Sequence, residues 1–380
     1  CIKIFENMQL LNKIRDKGIR WFFWRIKSEI RHPTKPFTET IINGMLQIKK
    51  KMTHSATLND EDDLLYSIYD LKIAPITFNI TEFLIDSELE ANKTGKKGFV
   101  VVFVPNDEDT PYGHKEYEAV INSDNKLWRF QNIVIPLTMS APKCKGVFML
   151  PDRSSISSFI KKHNVYPSLY DGVNLRHIDI VKLYENIDRP GLVQGLTAPQ
   201  QGCTYIRKWI EEMNIQSPIV TITLRQYDFD KARNSKISEW ARAAKYISDF
   251  GYYPILIPDT DQAFQRNELF EDIYIFNECS WNMGLRMALY EASFLNFFVP
   301  NGPGQLATFM PNCSYIMMNA LPEGSSVTTE ANIKARGYEI GENYRWATPN
   351  QRQIFKPDTF DNIISEFNRF VEEFGNNENV

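Results

Sequence analysis

No CxxC pair occurs in the 380 residues, and the five cysteines (Cys1, Cys144, Cys203, Cys279 and Cys313) are odd in number and far apart. That spacing argues against a zinc knuckle or a disulfide framework and suits a reducing compartment. No apolar run approaches the roughly eighteen residues that a membrane-spanning helix needs, and no secretory signal is visible. Neither sign of charge dominates. The 43 Lys and Arg stand against 47 Asp and Glu, for a net −4, which argues against a protein that coats nucleic acid. The chain starts with Cys1 rather than methionine, so further residues are expected before it.

What is present is a large apolar fraction, 43% of the chain, enough for a sizeable core and, at this length, for two domains. The expected division is a basic helical segment over 1–55, a first α/β domain over 56–195, a second over 196–356, and a C-terminal helix over 357–380 that packs back. The first segment stands apart in charge. Between Leu11 and Arg31 there are seven basic residues against Asp16 and Glu29, a net of +5. Ile19, Phe22, Phe23, Ile26 and Ile30 follow one helical stripe. A basic amphipathic helix with aromatics is a membrane-surface element, or it docks on its own domain with solvated charges opposite. Trp21 and Trp24 lie off the stripe, among the cations.

The strands read as unbroken apolar runs, "GFVVVFV" at 98–104 and "KGVFML" at 145–150. Runs without alternation suit strands covered on both faces. "SSISSFIKKHN" follows as a helix with Ser154 or Ser155 as its cap. Residues 188–202, "DRPGLVQGLTAPQQG", are rich in turn formers and mark a domain boundary. Beyond it, strands are expected in "SPIVTITLR", "YPILIPDTD", "FEDIYIFNE", "FLNFFV" and "CSYIMMN". Helices separate them. One runs from about 236 to 250, with Ile237, Trp240, Ala241, Ala244 and Ile247 on its apolar face and Gly251 as its C-terminal stop. Strands alternating with helices of this length make a doubly wound parallel sheet.

Ligands of such sheets lie beyond the carboxyl ends of the strands. "VPNGPGQLATF" (299–309) leaves one strand and opens a helix, where glycines let a backbone approach a ligand and free N–H groups face an anion. Arg225 ends another strand, and its planar guanidinium suits phosphate oxygens; an ion pair with Asp228 or Asp230 is the structural alternative. The polar run Tyr227 to Ser238 is long for a connection, which favours a functional loop.

"ITLRQYDFD", "GYYPILIPDTD", "LRMALYEASFLNFFVPNGPGQLATF" and "RWATPNQRQIFKPDTFDNIISEFNRF" together resemble the donor half of GT-B glycosyltransferases. The likeness is to bacterial enzymes of cell-surface polysaccharide synthesis and, more distantly, to fucosyltransferases, and it covers about residues 217–372. It implies two Rossmann-like doubly wound domains facing across a cleft, a nucleotide-sugar as co-substrate with no other cofactor, and a glycan or lipid-linked acceptor. It gives Arg225 the diphosphate and Asn301, Gly302, Pro303 and Gly304 the lining of the donor pocket. Arg286 and Glu291 become contacts to phosphate and ribose. Gln226 stands where fucosyltransferases carry a second arginine, so GDP-fucose is not implied.

A transferase that inverts configuration needs a general base near the acceptor hydroxyl. Asp107, Glu108, Asp109 and His114, in the loop after the first strong strand, are the candidates, against a merely solvated acidic loop. Asp259 and Asp261 have the DxD spacing of metal-dependent transferases. Here they end a sheet strand, and no metal site is assigned to them. His163 and His177 have no partner spacing. The expected function is transfer of a sugar from a nucleotide-sugar, peripheral on the cytoplasmic face of the plasma membrane. A nucleotide-sugar 2-epimerase and a non-catalytic GT-B-like binding subunit are the alternatives. The epimerase would want cleft histidines, in which the second half is poor.

Overall fold

The structure, a computed structural model, describes residues 36–53, 63–106, 123–173, 175, 177–265 and 267–375. The basic segment 11–31 and the loop carrying Asp107, Glu108, Asp109 and His114 lie outside the described residues. Packing divides the chain into two units: residues 1–74, 100–110 and 148–177 form one, and 75–99, 111–147 and 178–380 the other.

The strands are β1 (Leu64–Asp70), β2 (Gly98–Val104), β3 (Cys144–Met149), β4 (Val165–Tyr166), β5 (Ile219–Thr223), β6 (Tyr253–Ile257), β7 (Tyr274–Ile275), β8 (Leu295–Phe298), β9 (Tyr315–Met317) and β10 (Gln351–Gln353). They form two sheets, of order β3-β2-β1-β4 and β10-β9-β8-β5-β6-β7. The helices are α1 (Pro36–Thr53), α2 (Ile80–Lys93), α3 (Ser123–Arg129), α4 (Ile135–Thr138), α5 (Ile156–Lys162), α6 (Ile180–Asn186), α7 (Gln200–Glu212), α8 (Ile237–Asp249), α9 (Met283–Ala292), α10 (Gly302–Thr308), α11 (Glu330–Ala335) and α12 (Phe360–Phe374). A π-helical stretch, Phe130–Val134, joins α3 to α4.

In the first unit Ile68, Val102, Val104, Leu150, Ile156, Val165 and Tyr170 form the core. The carboxylate of Asp70, at the end of β1, is fully enclosed. Arg153 grips it through both terminal nitrogens at 2.6 and 2.8 Å, and the Tyr170 hydroxyl donates to it at 2.7 Å. Buried charge of this kind is stable only when paired and hydrogen-bonded. Two expectations change here. β3 lies at the sheet edge, with Phe148 and Met149 half exposed, so its apolar run is not a doubly covered strand. Ser155 stands at the N-cap position of α5 but makes no side-chain capping bond; the turn before it is capped by Asp152, whose Oδ1 accepts the Ser155 N–H at 3.0 Å.

In the second unit, the five strand pairs of the larger sheet are parallel. β5 and β8 read as apolar runs because both faces are covered, and every residue of each is buried. The polar exceptions satisfy one another: Thr221 Oγ1 donates to Asn296 Oδ1 at 2.5 Å, and Asn296 Nδ2 donates to the Tyr290 carbonyl at 2.9 Å. The α8 stripe packs with Ile363, Ile364, Phe367 and Phe370 of α12 in the core of this sheet. Asp358 Oδ2 accepts both the Lys236 N–H and the Trp240 Nε1–H at 2.9 Å, pinning the start of α8 to the turn before α12. Gly251 stops α8 at φ +97°, a conformation that disfavours a side chain.

Taken from β7, the strand order is the 3-2-1-4-5-6 of a dinucleotide-binding sheet. The chain leaves β5 toward β6 on one side and returns to its other side as β8. Connections therefore part between β5 and β8, which pair at Ile222 with Phe297. Such a switch point opens a crevice at the carboxyl ends of its two strands.

Candidate active site

A cavity of about 1060 Å³ lies at that point, lined wholly by residues of the second unit. Arg225 enters from β5. Asn301, Gly302, Pro303 and Gln305 come from β8 and α10, and Asp259, Thr260 and Asp261 from β6. Arg286 lines it from α9, and Arg336 with Tyr338 and Tyr344 from the segment after α11. Phe78 and Asn79 from the turn before α2, and Arg129 from α3, complete the wall. Five arginines (Arg129, Arg225, Arg233, Arg286, Arg336) therefore meet three carboxylates (Asp228, Asp259, Asp261) around one space.

Arg225 is almost wholly buried and its charge is held by its own loop. Its guanidinium donates to the carbonyls of Phe229 and Asp230 and to Asn234 Oδ1. Neither expected carboxylate partner takes it: Asp228 pairs with Lys231 at 2.9 Å, and Asp230 with Arg233 at 3.1 Å. Asn234 also bridges Tyr227 N–H and C=O, each at 3.1 Å, so residues 226–235 are folded around this arginine. Burial, and then the Arg233 charge, bring the Arg225 pKa down to about 10, which leaves it cationic at neutral pH. Tyr227 is fixed from outside the loop, because Arg129 donates to its hydroxyl at 3.1 Å.

The turn after β8 offers few free backbone donors. Of the first three positions of α10, Pro303 has no N–H, and that of Gly304 is taken by Asn301 Oδ1 at 2.7 Å. Neither Gly302 nor Gly304 has positive φ. A methyl on Gly302 would run into the Phe78 ring, so this glycine serves a contact within the protein. Gly304 sits behind the turn, where a Cβ would lie 3.0 Å from Asn301 Oδ1 and Met317 Cε, and it is not among the residues lining the cavity. Glu291 is not among them either. Its Oε1 accepts the Ala198 N–H at 2.9 Å and ties down the connection that precedes α7. Arg286 does reach the cavity. Its Nε donates to the Cys279 carbonyl at 2.5 Å and a terminal nitrogen to the Tyr290 hydroxyl at 3.3 Å.

Several residues here escaped the sequence reading. Glu82, on α2, is completely buried; the Tyr184 hydroxyl donates to it at 2.6 Å and Asn79 Nδ2 at 3.4 Å. Burial raises its pKa, against the pull of nearby Arg336. Burial works against the Arg336 charge as well, but Tyr184 and Glu82 outweigh it and its pKa is raised. Arg233 carried a visible signal, a cation inside the long polar loop. Glu82, Tyr184 and Arg336 carried none, since only tertiary packing brings 82, 184 and 336 together. Asp259 is an anchor: its carboxylate accepts the Gln226 N–H at 3.1 Å and the Thr260 N–H at 2.8 Å. Among the described residues no cluster of metal-ligating side chains occurs.

No family model and no curated protein matches the sequence. Solved structures do. A glycosyl transferase family 9 protein from Veillonella parvula superposes at a TM-score of 0.50 with 9% identity, over 84% of this chain and 99% of that one. The chain has a GT-B-like fold. The Escherichia coli ADP-heptose LPS heptosyltransferase II has a TM-score of 0.49 and 11% identity, over 82% of this chain and 98% of its own. The E. coli heptosyltransferase WaaC with ADP-2-deoxy-2-fluoro heptose has 14% identity and a TM-score of 0.37, over 80% and 99%. At these identities the likeness concerns the fold, and the reading of the GT-B-like chain's chemistry rests on its own cavity.

Proposed function

We propose that the protein transfers a sugar from a nucleotide-sugar to a hydroxyl of a cell-surface glycan or a lipid-linked acceptor. The observation that carries this reading is the arginine-lined cavity at the switch point of the second sheet. A nucleoside diphosphate is the kind of ligand such a crevice holds, and guanidinium groups match its phosphate oxygens. In the reaction the acceptor oxygen bonds to the anomeric carbon and the bond from that carbon to the diphosphate breaks. The nucleoside diphosphate departs with the electron pair, and the acceptor proton passes to a base. Charge grows on the leaving phosphate, and fixed cations around it lower the barrier. The donors named for two of the neighbours, ADP-heptose and its 2-fluoro analogue, make ADP-sugars the first to test.

The base remains proposed among Asp107, Glu108, Asp109 and His114. No helix among the described residues is long and apolar enough to cross a membrane. Attachment to an anionic membrane surface is proposed on the +5 segment at 11–31. Calorimetric titration with ADP-, UDP-, GDP- and CMP-sugars tests the central claim. Saturable binding of one of them, with release of its nucleotide when acceptor is added, is expected. Binding without release of nucleotide in the presence of any acceptor would favour a non-catalytic subunit, and no binding at all would remove the proposal.

A further inference from the structure

Phe264 is the most exposed large apolar side chain among the described residues, at 87%. It is not isolated. Its ring stacks on Trp281 at 5.3 Å between centroids and 22° between planes, and both rings line the cavity. The two turns that carry them are stitched together: Ser280 Oγ donates to the Pro258 carbonyl at 2.9 Å, and Thr260 Oγ1 donates to the Ser280 carbonyl at 3.1 Å. An apolar ring held in water over a rigid support is costly unless something covers it.

The strand order says what lies beside it. Along the carboxyl edge of the sheet the order is β7, β6, β5, β8, β9. The aromatic pair follows β6 and β7, Arg225 follows β5, and Asn301 and Gly302 follow β8. Beyond them, Gln305 of α10 lines the cavity together with Tyr184 and Arg336, and the Tyr184 hydroxyl donates to Glu82 at 2.6 Å. One end of the cavity thus carries a stacked aromatic pair beside Asp261, the middle carries Arg225, and the other end carries the hydroxyls of Tyr184, Tyr338 and Tyr344 with the Arg336 guanidinium. A nucleotide-sugar has the same three parts: a planar base, a diphosphate and a polyhydroxylated ring.

Resting on the function proposed above, we infer that the nucleobase of the donor stacks on the Phe264–Trp281 pair, with the transferred sugar at the Arg336–Tyr184 end. Stacking on an aromatic face is sequence-tolerant and strong enough to register in affinity.

The test compares inorganic pyrophosphate with nucleoside diphosphates on the full chain. Wild type should bind the best nucleoside diphosphate well above pyrophosphate. Phe264→Ala, at an exposed position that the fold does not need, should weaken the nucleoside diphosphate on the order of tenfold and leave pyrophosphate unchanged. Phe264→Tyr should restore the affinity. If Phe264→Ala leaves nucleoside diphosphate binding intact, the inference is wrong while the transferase reading survives. If wild type binds neither probe, both fall. A Phe264→Ala variant that keeps its nucleotide affinity but loses detergent-dispersed lipid acceptor would also overturn the inference, by assigning the rings to the acceptor.

Discussion

Arg225 shows how one side chain can be read correctly for position and incompletely for role. Its place at the end of β5 was evident from "TITLR", but its acceptors are two carbonyls and an asparagine of its own loop. Arg225→Ala should therefore do more than lower nucleotide affinity. Removing a buried cation with three acceptors should cost about 3 kcal/mol of stability, read as a lowered urea midpoint. Arg225→Lys should not restore it, because one ammonium cannot meet three acceptors in the guanidinium plane. If Arg225→Ala loses affinity at unchanged stability, the loop does not depend on it. Gly302 behaves differently. Gly302→Ala forces the Phe78 ring to move, an overpacking cost of about 1–3 kcal/mol that thermal denaturation should register. An unchanged melting temperature would mean that the ring swings away freely.

At the scale of elements, the second sheet depends on joints that bury polar groups in pairs. Asp358 holds both the first turn of α8 and the Trp240 indole. Asp358→Ala should leave a buried indole N–H unpaired and destabilise by about 2–3 kcal/mol. The loss should be seen equally by near-UV dichroism and by amide exchange in α8. Exchange protection unchanged in α8 would show that the joint is redundant. Gly251→Ala, at φ +97°, should cost about 1 kcal/mol without altering the cavity.

For the molecule as a whole, pH acts on the first unit through His177. Burial brings this imidazole down to about 4, with nearby Asp70 pulling weakly the other way. The folded pKa lies below the ordinary 6.5, so the unfolded chain takes up a proton that the folded one refuses. Stability from the neutral ring is complete above about pH 6.5 and is lost as the pH falls toward 4, on the order of 3 kcal/mol in all. His177→Leu should flatten that part of the pH profile relative to wild type. Identical slopes between pH 7 and 4.5 would mean that the ring titrates normally. Membrane attachment is a property of the intact chain. Deletion of residues 1–32 should release the protein from anionic vesicles and spare nucleotide binding. Retention by wild type should weaken with salt without vanishing, since cations and apolar side chains both contribute. Indifference of wild type to such vesicles at low salt would end that proposal.

The sequence by itself determined most elements of the second sheet. β5, β6, β8 and β9 are mostly apolar segments, broken only by Thr221, Thr223, Pro254 and Asn296, α8 and α12 carry full apolar stripes, and Gly251 marks an end. These are local signals, written by backbone conformation and by burial on one or two faces. It also placed Arg225 and the Asn301–Gly304 turn at strand ends. "LLYSIYD" of β1 and the three residues of β10 went unread, the first because its Ser and Tyr break the apolar run, the second because "QRQ" is polar and buried only by its neighbours. That β5 and β8 are adjacent, so that the two strand ends share one crevice, is a matter of strand order, which no local pattern encodes. Tertiary structure alone also set Phe78 against Gly302 and buried Glu82 beside Tyr184 and Arg336. Each of these depends on residues far apart in the chain, and the energy that fixes them comes from desolvation and contact, which exist only once the chain has folded.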